Sequence, residues 1–178
     1  MIAFPEVQRR AQEELDAVVG RGRLPTFADA PCLPYVCAIV KEILRWRPSL
    51  PIGPPHAATE EDWYEGMYIP KGAICIANLW HCNHDRVVFG EDAAEFRPER
   101  HLDEHGELLP GPVETYQAGH VTFGFGRRIC VGKDLASESL FINTARTLWA
   151  AKLARPRDER GKEVPLDIGT MVGAGVVL

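Results

Sequence analysis

Nothing in this chain is apolar for long enough to cross a bilayer, since a spanning helix needs ~18 or more consecutive apolar residues. The start, Met1-Ile2-Ala3-Phe4-Pro5-Glu6, lacks the apolar core of a signal peptide. Positive charge is not in excess. A net charge of −5 argues against a nucleic-acid partner. The five cysteines (Cys32, Cys37, Cys75, Cys82, Cys130) are odd in number and have no framework spacing. That excludes a disulfide-stapled secreted fold and points to a reducing compartment. Well-separated pairs of zinc ligands are lacking too: Cys75, His81, Cys82 and His84 crowd together instead. There is no internal repeat and no low-complexity tract.

What is present fits one globular domain. A chain of 178 residues can bury a core, and 46% hydrophobic with 25% charged residues is ordinary for a folded protein. Pro5 to Val19 reads as a helix with proline in its first turn and Gly20 at its end. Val7, Ala11, Leu15, Val18 and Val19 make its apolar face, and Arg10 and Glu14 are placed to pair on the outer one. Arg21 to Pro31 reads as a connection. Pro34 to Trp46 is a second helix, closed before Pro48. Val36, Val40, Ile43 and Leu44 form its buried face, and Glu42 and Arg45 lie side by side one turn apart. Such a pair is ordinarily a solvated ion pair of little consequence, unless a third partner joins it.

Ser49 to Pro55 is too rich in proline for helix. Trp63-Tyr64 and Met67-Tyr68-Ile69, around Glu65-Gly66, form a hairpin, and Ala73 to Ala77 a short buried strand. Asn83 to Glu95 is mostly polar. Phe96-Arg97-Pro98-Glu99-Arg100 follows, with Arg100 as the candidate third partner for Glu42 and Arg45. Leu102 to Gly119 has no period and reads as coil. Beyond Lys152, short apolar runs such as Val164-Pro165-Leu166 and Val176-Val177-Leu178 suit terminal strands.

The chemistry gathers in Phe123-Gly124-Phe125-Gly126-Arg127-Arg128-Ile129-Cys130-Val131-Gly132. This glycine-rich loop runs into a helix with Val131, Leu135, Ala136, Leu140, Thr144 and Leu148 on one side. Cys130 thus stands at a helix start, where free N–H groups and the dipole favour an anion, and Arg127 and Arg128 act the same way. Glycines let a flat, bulky ligand approach the backbone. Read without context, a lone cysteine here is a buried core thiol. A phosphate loop over Gly126–Lys133 fails on count. Five residues separate Gly126 from Gly132 where four are needed, and Asp134 replaces the magnesium-binding hydroxyl.

Phe123, Gly126, Arg128, Cys130 and Gly132 match the haem-ligand loop of the cytochrome P-450 family. The Glu-x-x-Arg helix and the Pro-Glu-Arg segment precede it in that family's order. The resemblance runs from Phe4 to Leu178, and the wording around Asp85 to Asp92 and Phe96 to His101 looks most like fungal microsomal members. It implies a mainly α fold with small β-sheets (α+β), the C-terminal part of the family's fold. Residues 1–178 would be one portion of a single domain with no internal boundary.

By the same resemblance, Cys130 is the catalytic thiolate and the ligand of the iron in haem b (iron protoporphyrin IX). Arg128 and His56 contact the haem propionates. Phe123, Gly124, Gly126 and Gly132 complete the cofactor site. Glu42, Arg45 and Arg100 form a buried charge network beneath it, and Pro51, Ile52 and Gly53 line the substrate pocket. His101 replaces the aromatic residue usual after Pro-Glu-Arg. The implied reaction inserts one oxygen atom from O2 into a small lipophilic substrate, with electrons from NADPH through an NADPH–cytochrome reductase. Arg127, Arg128 and Lys133 flank the face where the reductase docks. Full-length relatives sit on the cytosolic face of the endoplasmic reticulum, held there by a segment this chain lacks. The family's long helix over the oxygen side is also outside this sequence. Two expectations follow: the 178 residues alone are not a working oxygenase, and the helix 34–46 exposes a face that missing elements would cover. A catalytically inactive haem-binding or interaction fragment is the rival class, and a nucleotide-binding loop protein a second.

Overall fold

The computed structural model describes residues 1–166. Three helices carry the core. Helix α1 (Pro5–Val18) opens on a proline that needs no N–H partner, and ends as Gly20 takes a positive φ of 70°. Helix α2 (Pro34–Trp46) and helix α5 (Lys133–Ala150) pack against it and against each other. Leu15, Leu33, Ile39 and Leu148 are fully buried at their junction. Each such side chain is worth about 1.5–3 kcal/mol relative to its exposed state.

Helix α2 is central. It buries not one face but most of its circumference: Tyr35, Val36, Ala38, Ile39, Val40, Glu42, Leu44 and Arg45, with Ile43 half-buried. The expected exposed face on this helix is therefore absent. The reason is that the segment from Leu79 to His101 wraps the side that α1 and α5 leave open. On α1 the expected Arg10–Glu14 pair does not form. Arg10 instead pairs with Glu99, and Glu14 accepts hydrogen bonds from the N–H groups of Tyr35 and Val36 at 2.8 and 3.0 Å. Those N–H groups lie in the first turn of α2 and have no partner inside the helix. A long-range carboxylate thus caps α2, and that outweighs a surface ion pair. Val18, expected inside, is exposed, while Gln8 is buried and exchanges hydrogen bonds with the backbone of Leu153.

The connection before α2 contains a 3-10 turn, Phe27–Cys32, closed by a capping box between Thr26 and Asp29. The hairpin forms as expected from strands β2 (Asp62–Tyr64) and β3 (Met67–Ile69), with Trp63 opposite Tyr68. Glu65 and Gly66 both have positive φ, as its two-residue turn requires. A second ladder pairs strand β1 (His56–Ala57) with strand β4 (Ile74–Cys75). The expected buried strand over 73–77 is this shorter β4, and it is exposed. Helices α3 (Leu79–Asn83) and α4 (Arg86–Phe89) arise within and beside the polar stretch, each capped by a side chain, Asn78 and Asp85. Among the described residues Val164-Pro165-Leu166 is not a strand, and an isolated bridge joins Arg157 to Glu163. The run Val176–Leu178 lies outside the described residues. No helix among those described is long and apolar enough to cross a membrane.

Candidate haem-thiolate site

The site has a buried floor and an exposed loop. Glu42 and Arg45 are both fully buried and meet in a two-bonded fork, Arg45 Nε to Glu42 Oε2 at 2.8 Å and Nη2 to Oε1 at 2.7 Å. Arg100 Nε reaches Glu42 Oε1 at 3.1 Å, and the Arg97 N–H donates to the same oxygen at 2.8 Å. Burial alone would raise the carboxyl pKa of Glu42. The hydrogen bonds from Arg45 and His101 win and hold it down at about 2. The spare donors of the two guanidinium groups go to backbone carbonyls. Arg45 binds those of Asn83, Ala93 and Glu95 at 2.7 to 2.9 Å, and Arg100 those of Phe89 and Asp92, both at 2.9 Å. Every charge here is thus paired and hydrogen-bonded, the condition on which buried ions are tolerated.

His101 belongs to this floor, which the sequence reading missed. Its ring is buried, with Nε2 2.9 Å from Glu42 Oε2. Burial lowers the pKa of His101 despite that carboxylate. A neutral imidazole with its proton on Nε2 satisfies both facts, since it donates to Glu42 without carrying charge. The signal available was a polar residue in a slot otherwise aromatic. Nearby, burial followed by the repulsion of His101 and Lys41 lowers His120 to about 4.

The loop rises from this floor. Val121 and Thr122 are tied to α3 and α2, Phe123 is half-buried with its ring edge-on to His120 at 5.5 Å, and a 3-10 turn spans Gly126–Arg128. The Cys130 N–H donates across the loop to the Phe123 carbonyl at 2.9 Å. Helix α5 begins at Lys133, with Gly132 as its N-cap, so Val131 precedes the helix rather than lying on it. The buried stripe of α5 is Phe141, Ala145 and Leu148, whereas Val131 and Leu135 are 101% and 72% exposed. Cys130 is a free, exposed thiol, not a core residue.

Gly124 and Gly126 take φ of 73° and 63°, and a Cβ on either would meet open space. Glycine is demanded there by backbone conformation, and the result is bare backbone beside the thiol. Phe125, Ile129, Val131 and Leu135, in the same stretch of chain, are exposed. Arg127 and Arg128 are exposed and enter no ion pair among the described residues. The remaining predicted residues sit apart. His56 is exposed on β1, opposite Cys75. Pro51, Ile52 and Gly53 run along Ala77 to Trp80: the Pro51 carbonyl accepts from the Trp80 N–H, the Gly53 N–H donates to the Ala77 carbonyl, and Ile52 is exposed. The structure therefore brings Glu42, Arg45 and Arg100 together, and separately Cys130, Phe123 and the loop glycines.

The site thus pairs an exposed free cysteine on a loop of left-handed glycines with a buried Glu–Arg network. The family model described as Cytochrome P450 matches residues 1–167. This chain belongs to the cytochrome P450 family. It is 55% identical over 177 residues to a cytochrome P450 monooxygenase of Armillaria gallica, covering 99% of this chain and 34% of that protein. Cytochrome P450 monooxygenase 58 of Postia placenta is 49% identical over 177 residues, covering 99% of this chain and 33% of the relative. Cytochrome P450 monooxygenase iboC of Amanita muscaria is 41% identical over 198 residues, 86% of this chain and 35% of the relative. All three are fungal, and the chain spans about a third of the length of the curated relatives it matches.

Proposed function

We propose that residues 1–178 form the C-terminal, thiolate-side portion of a single haem monooxygenase domain. That enzyme inserts one oxygen atom from O2 into a small lipophilic organic substrate. The observation that supports this reading is the exposed Cys130 thiol on a loop whose Gly124 and Gly126 leave open space above the backbone. Haem b, when bound, supplies oxygen activation, which a thiolate ligand favours by pushing electron density onto the iron.

The protein's own contribution is positioning. Cys130 is the residue that would hold the iron, through its sulfur as thiolate, and its backbone N–H is bonded to the Phe123 carbonyl. Gly124, Gly126 and Gly132 keep side chains out of the macrocycle's path. Phe125, Ile129 and Val131, all exposed, would help keep water from the thiolate when haem is held. Arg128 and His56 neutralise the propionates, and Pro51, Ile52 and Gly53 contribute to the substrate wall. Glu42, Arg45 and Arg100 brace the loop from below. Arg127 and Lys133 present positive charge to an NADPH–cytochrome reductase, which delivers electrons at the cytosolic face of the endoplasmic reticulum.

A second reading, a catalytically silent haem-binding piece, is favoured by the exposure of the apolar Val131 and Leu135. One experiment separates the two. The 178-residue chain is loaded with haem and its ferrous–carbonyl spectrum recorded beside that of Cys130→Ala. Reductase, NADPH and a panel of lipophilic substrates are then added. The thiolate band is expected in the wild type alone, and its persistence in the variant would overturn the assignment. Thiolate ligation without hydroxylated product identifies the silent piece; stoichiometric product identifies a complete oxygenase.

A further inference from the structure

Asn83 is the last residue of the five-residue helix α3 and is fully buried. Three elements meet on it. Its backbone carbonyl accepts from Arg45 Nη1 at 2.7 Å. Its side-chain Oδ1 accepts from the Val121 N–H at 2.8 Å, and its Nδ2 donates to Thr122 Oγ1 at 3.1 Å. The Thr122 hydroxyl in turn donates to the Leu44 carbonyl on α2 at 2.6 Å. One residue on from Thr122, the Phe123 carbonyl holds the Cys130 N–H, and the Val121 carbonyl holds the Gly124 N–H, both at 2.9 Å. Hydrogen bonds thus link the Glu42–Arg45 pair through Asn83 to Val121 and Thr122, and one covalent step along the chain leads to Phe123, whose carbonyl holds the cysteine N–H.

We propose that Asn83 and Thr122 are positioning residues that set the height and orientation of the Cys130 loop. The geometry asks for their residue types. Asn83 faces an N–H on one side and a hydroxyl oxygen on the other, so it must accept and donate from one planar group. Aspartate offers acceptors only. The hydroxyl of Thr122 accepts from Asn83 while donating to Leu44, and valine, its isostere, leaves both partners unmet in a buried place. A displacement of Val121 and Thr122 reaches Cys130 through Phe123, the next residue, whose carbonyl accepts the Cys130 N–H. The inference rests on the proposed role of Cys130 as ligand, but its geometry does not.

The test is made first on the haem-free 178-residue chain. Amide hydrogen exchange is read at Val121 and Cys130, relative to the α5 core amides of Ala145 and Leu148. In the wild type, Cys130 is expected to exchange within about tenfold of Val121. A Cys130 amide exchanging more than about a hundredfold faster would show that the anchor does not reach the cysteine, and overturns the proposal without any variant. In Thr122→Val the Cys130 amide should exchange at least about tenfold faster relative to the core amides, as loss of the two hydrogen bonds of the hydroxyl predicts. Thr122→Ser should restore it. Alkylation at Cys75, on the unconnected strand β4, should not change. A valine variant with a lower melting temperature but unchanged relative exchange at Cys130 would mean a merely structural role. With haem added, Thr122→Val and Asn83→Asp are expected to lose part of the thiolate-ligated ferrous–carbonyl band. A wild type without that band would sink the ligand assignment while leaving the exchange result standing.

Discussion

At Glu42, two carboxylate oxygens shut off from solvent receive five donors: two from Arg45 and one each from Arg97, Arg100 and His101. At Cys130 the thiol faces solvent, and the loop around it is held by one cross-loop bond and two left-handed glycines. A carboxylate offers about four lone-pair sites, so the floor is satisfied beyond need, whereas the loop is held only at its ends. The contrast teaches where rigidity is placed. The floor resists deformation so that the loop can stay open to a large ligand, which is how sites are commonly carried on stiff supports.

The same denaturation experiment applied to both regions sharpens this contrast. The largest effect is expected for Arg45→Leu, which strands a buried carboxylate and three carbonyls. A loss of roughly 3–5 kcal/mol, against a usual margin of ~5–15 kcal/mol, should leave little folded chain. The double variant Glu42→Leu/Arg45→Leu should recover part of that loss. If Arg45→Leu instead melts like the wild type, the floor is not the support described.

Acid should act next. His120, held at about 4, is neutral in the folded chain, whereas an unfolded histidine takes up its proton near 6.5. The unfolded state therefore binds more protons between those values, and stability falls as pH drops from about 6.5 to about 4. The shift corresponds to roughly 3 kcal/mol, and His101 adds to it in the same direction. Glu42 contributes a further loss as pH falls from 4.5 toward its folded value of about 2. Urea titrations across this range should show a slope that His120→Phe flattens between pH 6.5 and 4. An unchanged slope in that variant would remove His120 from the account.

Glu14→Ala should be milder. It removes the carboxylate over the first turn of α2, and the cap is worth about 1 kcal/mol. Arg10→Ala, which on a sequence reading disrupts the same pair, should not reproduce it. The smallest effect on stability belongs to Cys130→Ala, expected within about 0.5 kcal/mol because the side chain is exposed. That variant should nonetheless abolish the thiolate-ligated carbonyl spectrum entirely, while Cys75→Ala and Cys82→Ala preserve it. A Cys130→Ala chain that melts far below the wild type would show that the loop is part of the core after all.

Local signals were legible in the sequence. Pro34 and Pro48 bound α2 because proline acts on its own neighbours, and Glu65-Gly66 marks the hairpin turn for the same reason. The spacing of Glu42 and Arg45 showed only a helix pair; the family resemblance pointed to the buried network with Arg100, and Arg45 and Arg100 both bind Glu42. What escaped was decided at a distance. Arg10 and Glu14 look like a helix pair until Glu99 and the free N–H groups of α2 compete for them. Asn83 sits in a polar stretch with no period, and its buried state depends on Arg45 and Thr122, 38 and 39 residues away. The apolar pattern of α5 was readable as helix, but not that Leu135 would face outward, because periodicity does not say which face has a partner.

The guanidinium of Arg45 also dictates an order of assembly. The carbonyls that complete its shell, on Asn83, Ala93 and Glu95, follow it in the chain by 38, 48 and 50 residues. At ~5–20 residues per second, a ribosome delivers them roughly 2–10 s after the arginine itself. Throughout that interval α2 has emerged with an arginine that has Glu42 beside it but lacks the three carbonyls that complete its shell. Helices α3 and α4, of five and four residues, are too short to persist alone and take shape only against it. The nascent chain must therefore keep α2 hydrated, or shielded by a chaperone, until the segment through Glu95 arrives and closes over the arginine in one concerted step.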